Sequence, residues 1–321
     1  MRLLLVLSLC LLQSSFAAWT TREEPGQPTG KHIEVLNDDK PVARFVYGEG
    51  QLKPYLQLYG IKGELITEWN SEQQFPHHRG IFIGWNKIES EIGSSDLWHL
   101  RSGERMFVTE IRHRGARTNA TITATVEWHA QKKDDNGDSI LLRETRELNI
   151  SQPAPEKTQV VAKFTLAAQR DITLNGDLQH AGVHFRATHQ LRNRTKETRY
   201  VWEPDLPGPG GKVVSRDLKW CRLLFPVGEN WYAATQLNSP GNPTEELTWR
   251  DYVRFGFFFK RKLEWGDILE IKHRFITEPV PASAREDLPA QRLAAAKLYA
   301  DYGTPHYEYR RVHDPNGIGK F

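Results

Sequence analysis

The chain has 321 residues, with 43 Lys and Arg against 40 Asp and Glu and a formal net charge of +3. That length fits one large domain or two ordinary ones. The small charge, and the lack of any basic run, exclude the electrostatic footprint of a nucleic-acid binder. The 10 Trp, 10 Tyr and 14 Phe favour strands, and flat rings also suit sugar-binding surfaces.

Residues 1–18 read as a signal peptide. Arg2 supplies the positive start, Leu3 to Leu12 a short apolar core, and Ser14 to Ala18 the small residues for cleavage near Ala17 or Ala18. The apolar run is too short to span a bilayer, and no later stretch is apolar enough, so the expectation is an exported protein without a membrane span. Leu9 precedes Cys10 where a lipoprotein box needs a small residue. Cys10 leaves with the signal, and Cys221 alone makes no internal disulfide. Cysteine-based zinc and iron–sulfur sites are thereby excluded, so any metal would be held by histidine and carboxylate.

Thr20 to Gly30 reads as an extended lead-in. His32 to Leu36 and Val42 to Tyr47 read as strands joined by the turn Asn37 to Lys40. Tyr55 to Tyr59 is a further short strand, ended by Gly60 and Gly63. Then comes the densest chemistry in the chain, Pro76-His77-His78-Arg79-Gly80-Ile81-Phe82-Ile83-Gly84-Trp85-Asn86, followed by Asp96-Leu97-Trp98-His99. As a strand, this stretch puts His77, Arg79, Ile81, Ile83 and Trp85 on one face. His78, Gly80, Phe82, Gly84 and Asn86 take the other. Glycines inside a strand mark a bulge or the close approach of a ligand or backbone, and two beside one ring suggest a binding floor.

Alternating segments follow at Met106 to Arg112, Ala120 to His129, Ile140 to Ile150, Gln159 to Ala168 and Ile172 to Leu174. The stretch Asp177 to Ala187 is the second informative one. In strand register His180, Gly182, His184 and Arg186 share a face, and Ala181, Val183, Phe185 and Ala187 point to a core. Pro204 to Gly211 must be a loop. Strands resume at Trp220 to Phe225, Trp231 to Leu237, Tyr252 to Phe259 and Ile268 to Ile276. One helix is predicted, capped by Asp287, with Pro289 in its first turn and an Ala-rich body over Gln291 to Ala300. Many short strands and one late helix predict an all-β fold, a large antiparallel sandwich over residues 19–303 with a C-terminal helix, and a tail over 304–321.

No nucleophile elbow, phosphate loop or dinucleotide fingerprint is present, and no cofactor is legible. Cys221 lies in an apolar strand and reads as core. Asn119, Asn149 and Asn193 begin glycosylation sequons, which matter only in a eukaryotic secretory route. Histidine and arginine on two strand faces remain. His78, His180 and His184 are the candidate acids and bases, with Arg79 and Arg186 as electrostatic clamps. His77, Phe82, Asn86, Asp96, Trp98, His99, Tyr252 and Arg254 are the candidates for ligand contact. His180 and His184 stand about 13 Å apart along a regular strand, too far to chelate one ion. If the site is real, the His180–Arg186 face and the His78–Asn86 face must line one groove. Its rim would be Asp96 to His99 and Pro204 to Gly211.

The Pro-His-His-Arg-Gly block, Asp96-Leu-Trp-His99, His180-Ala-Gly-Val-His184-Phe-Arg186-Ala and Tyr252-Val-Arg254-Phe-Gly-Phe-Phe, in that order, resemble a bacterial family of exported proteins labelled methane oxygenase PmoA. The resemblance implies a β-rich fold, with a supersandwich similar to the galactose mutarotases, whose concave sheet holds sugars with histidines and a carboxylate. Three functions are then open. The first is a carbohydrate-active enzyme of epimerase, hydrolase or lyase type acting on a small-molecule or glycan substrate. The second is a non-catalytic module presenting Trp85, Trp98 and Phe82 to glycans. The third is metal-dependent oxygenation, as the family label has it.

Overall fold

Strict alternation of side chains builds one wall of the molecule. Along Lys157–Ala168 every second residue is buried, and Asn119–His129 turns Ala120, Ile122, Ala124, Val126 and Trp128 inward. A pleated strand sends successive side chains to opposite faces, so this pattern leaves one face for a core and one for water. The computed structural model describes residues 19–25, 30–48, 50–69, 75–202, 218–243 and 245–302. The signal segment 1–18, the loop 204–211 and the tail 304–321 lie outside the described residues.

The alternating wall is an eight-stranded antiparallel sheet. Its order is Arg199–Trp202, Trp220–Val227, Asn230–Asn238, Ile268–Pro279, Lys157–Ala168, Ile140–Ala154, Asn119–His129 and Arg105–Gly115. A second eight-stranded sheet runs Trp19–Pro25, Lys31–Asn37, Lys40–Tyr47, Tyr55–Leu58, Ile81–Trp85, Ala181–Arg186, Arg254–Phe258 and Glu246–Arg250. Apolar side chains of both sheets interdigitate in one core that includes Phe45, Ile83, Trp85, Trp128, Phe164 and Phe257. Four short strands make a third sheet, in the order Arg261–Leu263, Ile172–Leu174, Ile88–Ser90 and Gly93–Ser95. The all-β antiparallel class is therefore as expected from the alternation.

The expected hairpin at Asn37 to Lys40 is present, with Asp38 and Asp39 at φ 49° and 60°. Both lie in the left-handed region that a two-residue hairpin turn requires and that Asp tolerates. The helix spans Leu288–Ala300, and the Asp287 carboxylate accepts from the Ala290 N–H at 3.0 Å. Its Ala295 packs with Val201, Trp220, Leu237 and Ile276, near the Arg199–Trp202 edge. No helix among the described residues is long and apolar enough to cross a membrane.

Three expectations need correction. The lead-in after Thr20 is in fact an edge strand, Trp19–Pro25, paired with Lys31–Asn37. The strand through the histidine-rich stretch is only Ile81–Trp85. Gly80 takes φ +56°, its N–H donates to Glu68 O, and its carbonyl accepts from Arg186 N–H. The chain turns there, so the alternating faces assigned to His77, His78 and Arg79 do not exist. The strand carrying His184 likewise begins at Ala181, and His180 belongs to the turn before it.

Candidate active site

Three adjacent strands of the second sheet, Ile81–Trp85, Ala181–Arg186 and Arg254–Phe258, are buried on both faces. Ile81, Ile83, Trp85, Val183, Phe185 and Phe255 fill the core between the sheets. Register sets the outer face: Phe82 opposes His184, Gly84 opposes Gly182, and Arg186 opposes Arg254. What covers that face is the loop Asp96 to His99. A Cβ on Gly84 would stand 2.5 Å from Leu97 O, so only glycine lets the loop lie flat here. The Leu97 N–H donates to Trp85 O at 2.9 Å and fixes it. This glycine makes room for backbone, not for an open ligand floor.

Trp98 is the plug. It is fully buried, with ring centroids 4.8 Å from His184, 5.0 Å from Phe82 and 5.3 Å from His78. Its indole N–H donates to His78 Nε2 at 2.9 Å, which makes Nδ1 the protonated nitrogen of His78. Arg254 Nη1 donates to His184 Nδ1 at 2.9 Å, so His184 Nε2–H donates to Ala181 O at 2.7 Å. Lys53 donates to Trp98 O at 2.9 Å, with its ammonium 4.5 Å from the centre of the Phe82 ring. Burial, aided by the Arg254 charge, holds His78 and His184 well below the ordinary histidine pKa. Burial also pulls Lys53 well below the usual lysine range, against the pull of Asp96. The inner layer is therefore a set of neutral imidazoles locked by donors, with a buried guanidinium beneath.

Above it stand two half-buried imidazoles built by the same local device. Asp96 Oδ1 accepts the backbone N–H groups of Trp98 and His99 at 3.1 and 2.9 Å, while His99 Nδ1 lies 2.7 Å from Asp96 Oδ2. Asp177 Oδ1 accepts those of Gln179 and His180 at 2.7 and 3.0 Å, and His180 Nδ1 lies 3.0 Å from both carboxylate oxygens. Each is an Asx-type turn whose aspartate folds back on the histidine three residues on. The Asn86 amide donates to Asp177 Oδ2 at 2.8 Å and braces the second turn. For both aspartates burial pushes the carboxyl pKa up, but hydrogen bonds from the histidine and the turn backbone outweigh it and leave it below the usual range. A carboxylate can only accept, so Nδ1 carries a proton in both rings, and in the neutral form of either ring the lone pair is on Nε2. The His99 and His180 side chains keep 16% and 27% of their surface exposed, and their ring centroids are 4.9 Å apart. Burial lowers the His180 pKa, with Asp177 partly restoring it. His77 completes the row, 4.7 Å from His99, and burial drives its pKa down to about 2.

The two histidine-bearing stretches do meet on one face, as the groove expectation requires. Asn86, Asp96, Trp98, His99, His77, Phe82, Tyr252 and Arg254 gather around the same cluster. Roles shift within it. His78 and His184 are sealed beneath Trp98, so they hold the plug instead of facing a ligand. Arg79 turns away from Arg186, donating to Pro76 O, Gln51 Oε1 and Tyr55 OH. Arg186 lies across the Tyr252 ring at 5.1 Å. Of the expected rim, Asp96 to His99 covers the sheet instead, and 204–211 lies outside the described residues. The rings meant for a glycan platform, Trp85, Trp98 and Phe82, are all fully buried.

Sequence reasoning missed Lys53, which reaches the cluster from a distant part of the chain, and Asp177. A signal for Asp177 existed: Asp96-Leu-Trp-His99 and Asp177-Leu-Gln-His180 are one four-residue pattern used twice. An aspartate on Nδ1 is also how proteins orient metal-binding histidines. Among the described residues, however, no three His, Cys, Asp or Glu side chains converge to hold a metal ion. The arrangement therefore does not fit the metal centre that an oxygenase would need.

A mostly antiparallel sandwich with a histidine–aspartate cluster on one sheet is the frame in which the comparisons fall. The chain belongs to a family of unknown function, DUF6807, whose model matches residues 32–288. The oxygenase label forms no part of that description. No curated protein matches the sequence. Among solved structures, the chain is similar to a galactose mutarotase related enzyme from Lactobacillus acidophilus. The identity is 7%, the coverage 75% of this chain and 95% of that one, and the TM-score 0.40. It is also similar to a GalM/aldose epimerase homologue from C. elegans at 7% identity, covering 82% and 99%, with a TM-score of 0.35. Likeness at these scores carries no weight for the chemistry.

Proposed function

We propose that this protein is a carbohydrate-active enzyme in which His99 and His180 form a general acid–base pair acting on a sugar. The observation that carries the reading is the pair of Asp–His units with Nε2 lone pairs on neighbouring, half-exposed rings. One neutral imidazole takes a proton from the anomeric hydroxyl of a sugar. The other, once protonated, delivers one to the ring oxygen bonded to the same anomeric carbon, whose C–O bond breaks as the carbonyl forms. Each aspartate steadies the imidazolium that its histidine becomes. Such a pair suits ring opening and reclosure at an anomeric carbon, or proton transfer in epimerisation. It needs no covalent intermediate. The buried Trp98 plug and its histidines supply rigidity, which keeps the reacting groups in geometry. The reading as a passive glycan platform loses its support because the rings that would form the platform are inside the protein. Export remains part of the proposal, on the strength of residues 1–18.

The test is a panel of neutral and acidic reducing sugars followed by NMR for anomer exchange and for deuterium uptake at carbon. The full chain should accelerate one of these exchanges. His99→Gln and His180→Gln should each lower it by about a hundredfold or more, the usual weight of a positioned acid or base. Full activity in both variants would overturn the proposal.

A further inference from the structure

The outer face of the third sheet carries a feature that the chemistry at His99 and His180 does not use. Ile88, Ile172, Leu174 and Leu263 turn inward and are buried. Register then places Glu89, Thr173 and Lys262 side by side on the opposite face, one from each of three neighbouring strands. Beside this row Trp265 is 61% exposed, and its ring has no stacking partner among the described residues. Its turn, by contrast, is fixed. The Trp265 N–H donates to Asp171 Oδ1 at 2.7 Å and the Gly266 N–H to Ala168 O at 3.0 Å. The Asp267 N–H donates to Glu264 O, and the Glu264 N–H to Asp267 Oδ2, both at 2.9 Å. A ring displayed on a fixed turn loses little freedom when it binds. It borders an open concavity of about 600 Å³, whose polar lining includes Glu89, Glu91, Gln169, Asp171, Thr173 and Lys262.

The composition of this surface selects its ligand. A protein partner anchored by a tryptophan needs an apolar surround that sheds water, and the other apolar residue of the lining, Ile172, is buried. A polyanion meets Glu89, Glu91 and Asp171, which outnumber Arg170 and Lys262, and Arg170 is already paired with Glu91 and Asp134. What fits is a ligand with one apolar face and a rim of hydroxyl groups. The face stacks on the indole, and the hydroxyls donate to carboxylates and accept from Lys262, which has no ion pair among the described residues. A neutral pyranose has that form. The surface also adjoins the histidine row. Asn86 lies two residues before Ile88–Ser90, and Asp177 three residues after Ile172–Leu174. Asn175 ties the two segments together, its N–H donating to Lys87 O and its amide to Glu89 Oε2, both at 2.9 Å. Thr173 and Asp177 are four residues apart, at most about 14 Å of chain, so one polymer reaches both places.

We propose that the third sheet is a secondary glycan-binding surface, on which Trp265 stacks against a neutral pyranose unit of a polysaccharide while Glu89, Thr173 and Lys262 bond its hydroxyls. The surface stands on its own composition, and only its service to His99 and His180 rests on the carbohydrate reading.

The experiment runs the full chain on native gels cast with xylan, mannan, β-glucan or galactan, with polygalacturonate as the charged counterpart, and reads mobility against gels without polymer. Trp265→Ala and Thr173→Arg are run beside it. Thr173→Arg leaves the ring in place and crowds the concavity, so it gives the same readout without touching the Trp265 turn. At least one neutral polymer should retard the wild-type chain. Both variants should lose about tenfold in affinity for it, the order that one stacking ring supplies, while melting near the wild-type temperature. No retardation by any neutral polymer, or equal retardation of Trp265→Ala, would overturn the surface and leave the histidine reading standing. Retardation by polygalacturonate alone would overturn the neutral glycan. A wild-type dimer that Trp265→Ala converts to a monomer in light scattering would assign the face to a second copy and overturn the proposal as well. Retardation by a neutral polymer that Trp265→Ala abolishes, in a chain that exchanges no sugar, would uphold the surface and overturn the chemistry at His99 and His180.

Discussion

His99 and His180 come from turns about eighty residues apart in the chain, yet their imidazoles stand 4.9 Å apart with an aspartate on Nδ1 of each. Two bases held this way differ from the histidines beneath them. His78 and His184 have ring nitrogens committed to Trp98, Arg254 and Ala181. On the proposed reading, chemistry and support lie in separate layers, and each layer has its own measurable signature.

Substitution in the lower layer is expected to cost stability. Trp98→Ala empties a fully buried site and should lower unfolding free energy by about 3–5 kcal/mol. His78→Ala leaves the buried Trp98 indole N–H without its acceptor, at about 1–3 kcal/mol. His99→Gln and His180→Gln, half-exposed, should change it by less than about 1 kcal/mol. Denaturant unfolding of the four variants checks the ranking, and a reversal would place the support in the upper layer.

Gly84→Ala tests how the loop is seated. The added methyl carbon would meet Leu97 O at 2.5 Å, so the Asp96 to His99 turn must lift. A loss of about 1–3 kcal/mol is expected, in the range of overpacked sites. Activity should fall together with it, since His99 rides on that turn.

Activity should rise with pH along a limb set by His180, below the ordinary histidine pKa of about 6.5 because burial disfavours its charged form. Asp177 raises that pKa, so Asp177→Asn should move the limb to still lower pH. It should also reduce the plateau, because the amide can hold the ring in the wrong tautomer. A limb that stays in place in Asp177→Asn would separate Asp177 from the titrating group.

Stability carries the same burial in its pH dependence. His77, with its pKa at about 2, and His78 and His184, also held low, stay neutral in the folded chain while the unfolded chain takes up protons below about 6.5. The unfolded state then binds more protons, so stability falls as pH drops below that value, by up to about 1.4 kcal/mol per pH unit for each ring. Asp96 and Asp177, with depressed pKa values, add loss in the carboxylate range. Melting temperatures from pH 8 to 4 should fall throughout the lower half, and His77→Phe should flatten the slope.

The fold was legible because alternation is local. Lys157–Ala168 and Asn119–His129 show their inner face residue by residue, and the Asp287 cap and Ala-rich body announce the helix. The stretch His77 to Gly80 was misread because its geometry is set at a distance. Gly80 bonds Glu68 and Arg186, and nothing near it in sequence states that the chain turns there. The convergence of the two histidine stretches followed from requiring polar groups to share a concavity. Their layering did not, since it depends on Trp98 entering the sheet face, and a tryptophan between Leu97 and His99 reads equally well as an exposed ring. The repeated Asp-Leu-x-His pattern was present in the sequence, and it becomes meaningful once an aspartate is seen to cap its own turn and hold the histidine three residues on.

The central claim is that His99 and His180 act as one unit. The most direct measurement is a double-mutant cycle on the sugar-exchange rate with His99→Gln, His180→Gln and the double variant. Groups that serve one proton-transfer step are strongly non-additive, so the double variant should be about as slow as either single one, with all three near-native in melting temperature. Losses that multiply, or a double variant that keeps activity, would contradict it.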